Sequence, residues 1–284
     1  MPPIPVQNAL IVDADDSLKA LLARVLPQGL WAVHYVASNK EALAAVLNRA
    51  FSLIITGEKT SAQQDVDLLR TIRRLRPHTR FIILANRSTP DAVLASMRAH
   101  AFSIFSTPYD QDQLASMITL AIDSPPWDDG IEIISATPEW IRLRLRCEVH
   151  TADRVVQFLN EIAELPPAER DQVATAFREM LMNAIEHGGR LDANRWVEIE
   201  YVRARHMISC HIADPGPGFT LDEIPHAAVA NPRGNPIQHA EIREELGIRP
   251  GGYGILMAQK LVDELIYNQE GNEVLLVKYL KPAS

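Results

Sequence analysis

Two short stretches decide the fold of the second half of the chain: REMLMNAIEHGG at residues 178–189 and DPGPGF at residues 214–219. The first has the apolar spacing of a helix, on which Glu179 and Asn183 stand four residues apart and share a face. The second follows a strand-like run, and its glycines permit positive φ and close approach of the backbone to a ligand. A carboxylate and an amide on one helix face indicate chemistry that involves a proton and a cation.

A third stretch, Gly251-Gly252-Tyr253-Gly254, precedes an apolar run at residues 255–265 that is predicted to be helical. Glycines that lead into the amino end of a helix form an anion site, because the free backbone N–H groups and the helix dipole attract phosphate. Taken singly, each stretch also fits a structural role: Glu179 as a solvated charge, Asn183 as a polar border residue, and the glycines as tight turns. Their order and spacing together favour a nucleotide site.

The three stretches resemble the N box, G1 box and G2 box of the GHKL ATPase superfamily, over about residues 135–284. Within that superfamily the resemblance is closest to the anti-sigma-factor serine kinases. It implies an α+β ATPase sandwich of the Bergerat type with a mixed sheet. A P-loop is excluded, because the sequence has no Gly-x-x-x-x-Gly-Lys-Ser/Thr stretch.

The resemblance also implies roles for individual residues. Asp214 would accept a hydrogen bond from the adenine amino group, Asn183 would hold Mg²⁺ through its carbonyl oxygen, and Glu179 would be the catalytic base. The other implied nucleotide contacts are His187, Gly216, Gly218, Phe219, Arg249, Gly251, Gly252, Tyr253 and Gly254. The implied cofactors are ATP and Mg²⁺.

Between the second and third stretches, prolines preclude one continuous helix. This segment resembles an ATP lid, with Arg233, Arg243 and Arg249 available for the phosphates. Arg249 is the best candidate for contact with the γ-phosphate, although Pro250 beside it departs from the serine-kinase pattern. The alternative is an ordinary surface loop.

Composition limits the function classes. A chain of 284 residues with a formal charge of −8 and 47% hydrophobic residues predicts two domains and disfavours a nucleic-acid-binding protein. No run is apolar enough for a membrane span, and the N-terminus lacks a signal pattern, so we expect no membrane partner and a cytoplasmic location. Cys147 and Cys210 lie in apolar, strand-like runs and are predicted to be core thiols.

Prolines and acidic residues interrupt the helical pattern that ends near Asp123, and we predict a linker at residues 124–134. Upstream, short apolar strands alternate with amphipathic helices, which predicts a parallel, doubly wound sheet. Residues 6–123 resemble the response-regulator receiver domain, which implies a flavodoxin-like fold with five parallel strands. The predicted domains are therefore residues 1–123 and 135–284.

The residues of receiver chemistry are mostly absent. Asp13 remains from the acidic cluster, but Ala14 replaces one of the paired acids, and Gly57 stands where the phospho-acceptor aspartate is expected. Ala85 occupies the switch position and Thr107 the lysine position. Without a carboxylate at residue 57 there is no nucleophile to form an acyl phosphate. We therefore interpret this half as a pseudo-receiver.

Two interpretations of the pseudo-receiver stay open. In the favoured one it is a docking or dimerisation module that needs no phosphate. In the other, Glu58 or Asp65 substitutes as the acceptor, or Glu58 imitates a permanently charged state.

The run Trp140–Cys147 alternates strictly, with Ile141, Leu143 and Leu145 on one strand face and arginines on the other. Repeated like charges can protect an edge strand against aggregation. A surface for a protein partner is the equally weighted alternative.

The remaining question is the phosphoryl acceptor. No phosphorylatable histidine in a helical hairpin precedes the ATPase-like half; His150 resembles a helix-entry residue. The leading hypothesis is therefore a protein-serine kinase of the partner-switching type, a homodimer acting on a STAS-type anti-anti-sigma factor or engaging a sigma factor. The competing hypothesis is a nucleotide-dependent binding module that transfers nothing. A conformational ATPase is less favoured, because no transducer domain is recognisable.

Overall fold

The computed structural model describes residues 6–124, 129–220, 227, 235, 238–245 and 252–280; at residues 239, 240 and 243 it describes the backbone alone. The chain divides into two compact units. The first comprises residues up to 129 together with residues 157–162. The second comprises residues 130–156 and the chain from residue 163 onwards.

The first unit is an α/β fold around five parallel strands in the order β2-β1-β3-β4-β5. The strands are β1 (Gln7–Val12), β2 (Trp31–Val36), β3 (Leu53–Thr56), β4 (Arg80–Ala85) and β5 (Ser103–Ser106). The helices between and after them are α1 (Asp16–Val25), α2 (Asn39–Asn48), α3 (Ala62–Leu75), α4 (Pro90–Arg98) and α5 (Gln111–Asp123). Helix α1 contacts α5, and α3 contacts α2 and α4. The predicted parallel, doubly wound fold is confirmed.

Local sequence explains these elements. The strands read as continuous apolar runs, and all four residues of β3 are buried, as expected where helices cover both faces of a parallel sheet. Each helix begins at a residue whose side-chain oxygen accepts a backbone N–H of the first turn, which satisfies an otherwise unpaired donor. These capping residues are Asp15, Ser38, Ser61, Thr89 and Asp110.

The second unit is built on six strands in the order β10-β11-β9-β8-β7-β6. They are β6 (Ile131–Thr137), β7 (Trp140–Arg146), β8 (Trp196–Arg203), β9 (Met207–Ala213), β10 (Glu264–Tyr267) and β11 (Glu273–Tyr279). The described helices that begin in this unit are α6 (Val149–Ala163), α7 (Pro167–Asn183), α8 (Gln238–Glu245) and α9 (Gly254–Leu261), of which α6 contributes residues 157–162 to the first unit. Helix α7 packs against α9 and against β9 and β11, which places the candidate helix on the sheet. The α+β class is confirmed.

Two details of the prediction for this unit are wrong. The sheet is not mixed, because all its strand pairs are antiparallel. Short connections join β6 to β7, β8 to β9, and β10 to β11, and such hairpins force antiparallel pairing. The predicted helix at residues 255–265 is also too long, since α9 ends at Leu261 and residues 264–267 pair with β11 instead.

The edge-protection interpretation of the β7 arginines is also wrong, because β7 lies between β6 and β8. Its arginines instead pair across the sheet. Arg142 contacts Glu198 at 3.0 Å, and Arg144 contacts Glu132 at 2.7 Å. A role of this face in binding a partner stays a prediction.

No helix within the described part of the chain is both long and apolar enough to cross a membrane.

The degenerate receiver positions lie at the carboxyl ends of the strands in the first unit. Ala85 ends β4, and its carbonyl accepts the backbone N–H of Thr107, which follows β5, at 2.9 Å. Asp13 and Ala14 follow β1, and Gly57 follows β3 directly. All five residues lie at or directly after the carboxyl ends of strands, and their interpretation as degenerate receiver positions stays a prediction.

Gly57 leaves no room for a side chain of any kind. Its N–H donates to the Val12 carbonyl at 2.7 Å. A Cβ atom on Gly57 would lie 2.1 Å from the carbonyl oxygen of Asp13, a main-chain atom that cannot rotate away. Asp13 itself has a positive φ of 52°, which directs the backbone into this position. The place of an acceptor carboxylate is thus filled by the chain itself.

Of the alternative acceptors, Asp65 is fully buried and accepts hydrogen bonds from Asn39 and Thr60, each at 2.8 Å. Burial raises its pKa, so the site disfavours the ionised nucleophile. Glu58 is half-buried beside Tyr109, whose pKa rises to about 12 through burial and the Glu58 carboxylate. These contacts argue against Asp65 as an acceptor and leave a charge role for Glu58 open.

We predict that Gly57→Asp destabilises the first unit and does not restore phosphorylation, because the new Cβ collides with main-chain oxygen. The loss is expected to exceed about 2 kcal/mol, as for other overpacked core sites. Urea unfolding followed by circular dichroism measures it. The comparison variant is Gly29→Ala, which meets no atom within 4 Å and therefore adds a side chain without a collision, although at a positive φ that Gly57 does not have. A Gly57→Asp protein of unchanged stability that accepts phosphate from acetyl phosphate would contradict this account.

Candidate functional site

Helix α7 carries the first stretch and continues into a single π-helical turn at Ala184–Gly188. In this turn the N–H of Gly189 donates to the carbonyl of Ala184 at 2.7 Å. Glu179 and Asn183 lie one turn apart on α7, and His187 lies in the wider turn. Such turns recur at functional sites because they redirect side chains and free backbone groups.

Asp214 directly follows β9, in the second stretch. Its Oδ1 accepts the N–H of Gly216 at 2.7 Å, and its own N–H donates to the Asn272 carbonyl at 2.9 Å. Burial raises the pKa of Asp214, while the Gly216 amide and the Arg195 guanidinium lower it. The carboxylate is therefore held in a defined direction within a half-buried site.

The carboxylate of Asp214 rests directly on the end of the α7 segment. A Cβ atom on Gly188 would lie 2.0 Å from Asp214 Oδ1, and one on Gly216 would lie 2.7 Å from the same oxygen. Only residues without a Cβ allow the two motifs to meet this closely. The two stretches identified by sequence are thus in contact.

A cavity of about 290 Å³ opens beside this contact. Seven predicted residues line it: Asn183, His187, Asp214, Gly218, Phe219, Gly252 and Gly254. Gly216 does not line the cavity, but its N–H donates to the Asp214 carboxylate. Tyr253, just before α9, does not line it either and is 50% exposed. The volume is close to that of small-molecule pockets, which begin at about 300 Å³.

Glu179 does not line the cavity. Its carboxylate lies at the amino end of α9, where a Cβ atom on Gly254 would be 2.7 Å from Glu179 Oε2 and 3.8 Å from Asn183 Nδ2. Within the part of the chain that the structure describes, the side chains of Glu179 and Asn183 make no hydrogen bond. A carboxylate, an amide and a helix amino end therefore converge at one end of the site, where a base, a hard cation and an anion can be accommodated.

Part of the cavity wall is aromatic. The rings of Phe219 and Tyr267 meet edge-to-face with centroids 5.3 Å apart, and the Tyr267 hydroxyl donates to the sulfur of Met180 at 3.2 Å. Burial raises the pKa of Tyr267, so its phenol stays protonated. An apolar, aromatic wall beside one carboxylate suits a flat heterocycle with an N–H donor.

Sequence reasoning missed Arg195 and Tyr267. Arg195 donates from Nη1 to the Gly188 carbonyl at 2.9 Å and from Nη2 to the Pro215 carbonyl at 3.3 Å. It lies in the loop between the two motifs, and Tyr267 lies on the short strand β10, which begins within the helix predicted at residues 255–265. Neither position has a sequence signal, because contacts of both side chains join residues that are distant in the sequence.

Part of the predicted site lies outside the described residues. This holds for Arg249, Gly251, Arg233 and most of the lid, and for the side chain of Arg243.

Two family models match the chain. The model of the histidine kinase-like ATPase domain matches residues 141–278, and that of the response regulator receiver domain matches residues 9–119. The chain therefore combines a receiver-type domain with a histidine kinase-like ATPase domain. This confirms both resemblances at the level of the domain; the serine-kinase subfamily stays a prediction.

Curated relatives cover the chain in part. The transcriptional regulatory protein ZraR of Salmonella typhimurium is 24% identical over 162 residues, which are 57% of this chain and 35% of ZraR. The response regulator protein PilR of Pseudomonas aeruginosa is 24% identical over 116 residues, 41% of this chain and 26% of PilR. The chain thus spans about a third or less of the length of these relatives.

Solved receiver structures are also similar. A CheY-like receiver domain from Methanospirillum hungatei has a TM-score of 0.37 and 24% identity, over 42% of this chain and 95% of that chain. A response regulator from Thermotoga maritima has a TM-score of 0.37 and 19% identity, over 42% of this chain and 100% of that chain.

Both cysteines of the chain are buried thiols, as predicted: Cys147 is 0% and Cys210 is 3% exposed. Burial raises the pKa of Cys147 to about 11 and that of Cys210 to about 12. We predict that neither thiol reacts with Ellman's reagent at pH 8 in the native protein, because the thiolate is the reactive form. Both should react in guanidinium chloride. Rapid reaction of either thiol in the native protein would contradict the burial of that cysteine.

Proposed function

We propose that the second unit binds Mg-ATP and transfers the γ-phosphoryl group to a serine or threonine of a partner protein. One arrangement carries this proposal. Asp214 lines the cavity together with Phe219 and Tyr267. Asn183 lines it as well, near Gly254 at the amino end of α9. An acceptor for a purine amino group and a phosphate-binding end are thereby joined by one cavity.

The described residues fit an adenine nucleotide. The ionised Asp214 carboxylate only accepts hydrogen bonds, so it favours a base that donates one, such as adenine. Phe219 and Tyr267 supply flat apolar contact beside it. Gly252 and Gly254 leave the start of α9 accessible, where free N–H groups bind phosphate oxygens.

The residues also fit Mg²⁺, a hard cation that keeps several waters and takes few protein ligands. The carbonyl oxygen of Asn183 would hold it, because this side chain makes no hydrogen bond to any described residue. When bound, the ion neutralises charge that develops on the phosphates during transfer.

Glu179 is the proposed base. It would take the proton of the incoming hydroxyl while the hydroxyl oxygen forms a bond to the γ-phosphorus. The bond from that phosphorus to the bridging oxygen breaks, and ADP leaves with the electron pair. In such a transfer the protein mainly positions groups, so one carboxylate beside Asn183 is a sufficient catalytic set.

We further propose a partner-switching role. The acceptor would be a STAS-type anti-anti-sigma factor, with a sigma factor as a second partner and a homodimer as the working form. The receiver-type unit would serve docking or dimerisation, since the backbone fills its acceptor position. Of the relatives, PilR is a response regulator by name and ZraR a transcriptional regulatory protein by name, which supports a signalling role. The test is to mix the chain, Mg-ATP and the STAS protein of a neighbouring gene, and to search for phosphoserine by mass spectrometry.

One observation favours the competing function, a module that binds nucleotide and partner without transfer. The Glu179 carboxylate does not line the cavity. Partner binding that depends on ATP, with no phosphate on any partner after hours, would establish this second function.

We predict that Gly188→Ala weakens Mg-ATP binding by at least about tenfold, which corresponds to about 1.4 kcal/mol. The reason is that the new methyl group displaces the Asp214 carboxylate. Calorimetry on a double-mutant cycle measures the effect. In the Asp214→Ala background the same change should have little further effect, because the displaced group is gone. If the two substitutions weaken binding additively, Gly188→Ala acts through a group other than the Asp214 carboxylate.

We predict that Glu179→Gln abolishes phosphoryl transfer while the Kd for Mg-ATP changes by less than about threefold, because a base acts in the chemical step alone. Filter assays of the partner and calorimetry supply the two measurements. The matched control is Glu186→Gln, a carboxylate in the π-helical turn of the same segment that has no role in the proposed transfer. Retained transfer in Glu179→Gln would remove Glu179 from the mechanism.

A further inference from the structure

We infer that Arg195 is the positioning residue that orients the Asp214 carboxylate. Through that carboxylate, Arg195 makes the cavity prefer a base that presents a hydrogen-bond donor to Asp214 over a base that presents an acceptor there. This inference deepens the proposed nucleotide site and rests on it. Arg195 acts through the backbone around Asp214 and makes no contact with the ligand.

The guanidinium of Arg195 joins the two motif segments. Nη1 donates to the carbonyl of Gly188 at 2.9 Å, and Nη2 donates to the carbonyl of Pro215 at 3.3 Å. Hydrogen bonds from a charged donor are stronger than those between neutral groups, and the planar fork fixes the direction of both. One side chain thus holds the end of the π-helical turn and the turn that carries Asp214 at a fixed separation.

The base of this side chain is itself fixed. The N–H of Arg195 donates to the Asp192 carbonyl at 2.9 Å, and its carbonyl accepts the N–H of Cys147 at 3.0 Å. Asp192 in turn accepts the N–H and the side-chain amide of Asn194, which closes the loop locally. The fork therefore extends from a backbone position that is tied to the loop and to the end of β7.

Both anchored carbonyls belong to neighbours of Asp214. Gly188 is the residue against whose Cα the Asp214 carboxylate rests, and Pro215 follows Asp214 in the chain. With both neighbours held, the carboxylate has one oxygen on the Gly216 amide at 2.7 Å, and Asp214 lines the cavity. The positive charge of Arg195 also opposes the effect of burial on this carboxylate.

Orientation matters because recognition here depends on one hydrogen bond. ATP offers an amino group at position 6 of the purine, whereas ITP offers a carbonyl oxygen, which an ionised carboxylate repels. A site built for a hydrogen bond rejects an analogue that cannot make it, since a buried polar group is left unpaired. If the carboxylate is free to turn, ATP loses its bond and ITP escapes the repulsion, so the two affinities converge.

The experiment compares the full chain with the variants Arg195→Ala, Arg195→Lys and Arg142→Ala. Dissociation constants for Mg-ATP and Mg-ITP are measured by calorimetry, and folding is checked by thermal unfolding. Arg142 is the control, because it forms an exposed ion pair with Glu198 in the same unit. Lysine keeps the charge but lacks the fork, so Arg195→Lys separates position from charge.

The unmodified chain is expected to prefer ATP by at least about tenfold, the value of one specific hydrogen bond. In Arg195→Ala this ratio should fall to within about twofold, because the ATP bond is lost while stacking on the aromatic wall remains. Arg195→Lys should restore little of the ratio, and Arg142→Ala should keep it. If Arg195→Ala does not fold, Arg195→Lys alone provides the test through the same ratio.

An Arg195→Ala protein that weakens ATP and ITP equally, or keeps the full ratio, would overturn the inference, since a general loss of stability does not change discrimination. Full restoration of the ratio by lysine would show that charge alone suffices, which also overturns the positioning role. If the unmodified chain binds neither nucleotide, the proposed function fails as well. If it binds ATP and ITP alike, the inference fails while nucleotide binding stands.

Discussion

The contact between the Asp214 carboxylate and the Cα of Gly188 is the constraint on which the candidate site depends. It brings the end of β9 against the end of the α7 segment, and the cavity opens beside this junction. The Asn272 carbonyl and the Arg195 guanidinium hold the junction from two further directions. A single added methyl group at residue 188 would separate the motifs, so the site requires a glycine there for space rather than for backbone freedom.

In the first unit a glycine without a Cβ also permits a close contact, but there the contact removes space from a site. At Gly57 the missing Cβ makes room for the main-chain oxygen of Asp13, which fills the position of an acceptor carboxylate. The fold persists because the five strands and their capped helices do not depend on that carboxylate. The backbone at Gly57 therefore leaves no space for an acceptor side chain, so we expect that a change of this one side chain would not restore receiver chemistry.

The sequence predicted what local pattern determines. Buried runs predicted the parallel strands, and the two stretches at residues 178–189 and 214–219 are in contact in the folded chain at Gly188 and Asp214. It could not predict the partners of groups that meet only in the folded chain. Arg195 lies in a loop without a motif, and the direction of strand pairing between β9 and β11 depends on a long excursion of the chain. Residues 264–267 show this limit of sequence-based prediction most clearly. Their apolar pattern continues that of α9, but in the folded chain they pair with β11 as a strand.

The cost of burying the Asp214 carboxylate explains the role of the polar groups around it. Its pKa is raised in the folded protein, chiefly by burial, so the ionised form is less favoured there than in the unfolded chain. For such an acid, stability is highest below the unfolded pKa and falls as pH rises through the folded value. At neutral pH the ionised carboxylate therefore destabilises the fold, and the Gly216 amide and Arg195 reduce this effect. A ligand that donates a hydrogen bond to the remaining oxygen would relieve it further, which gives the cavity an intrinsic preference for donors over acceptors.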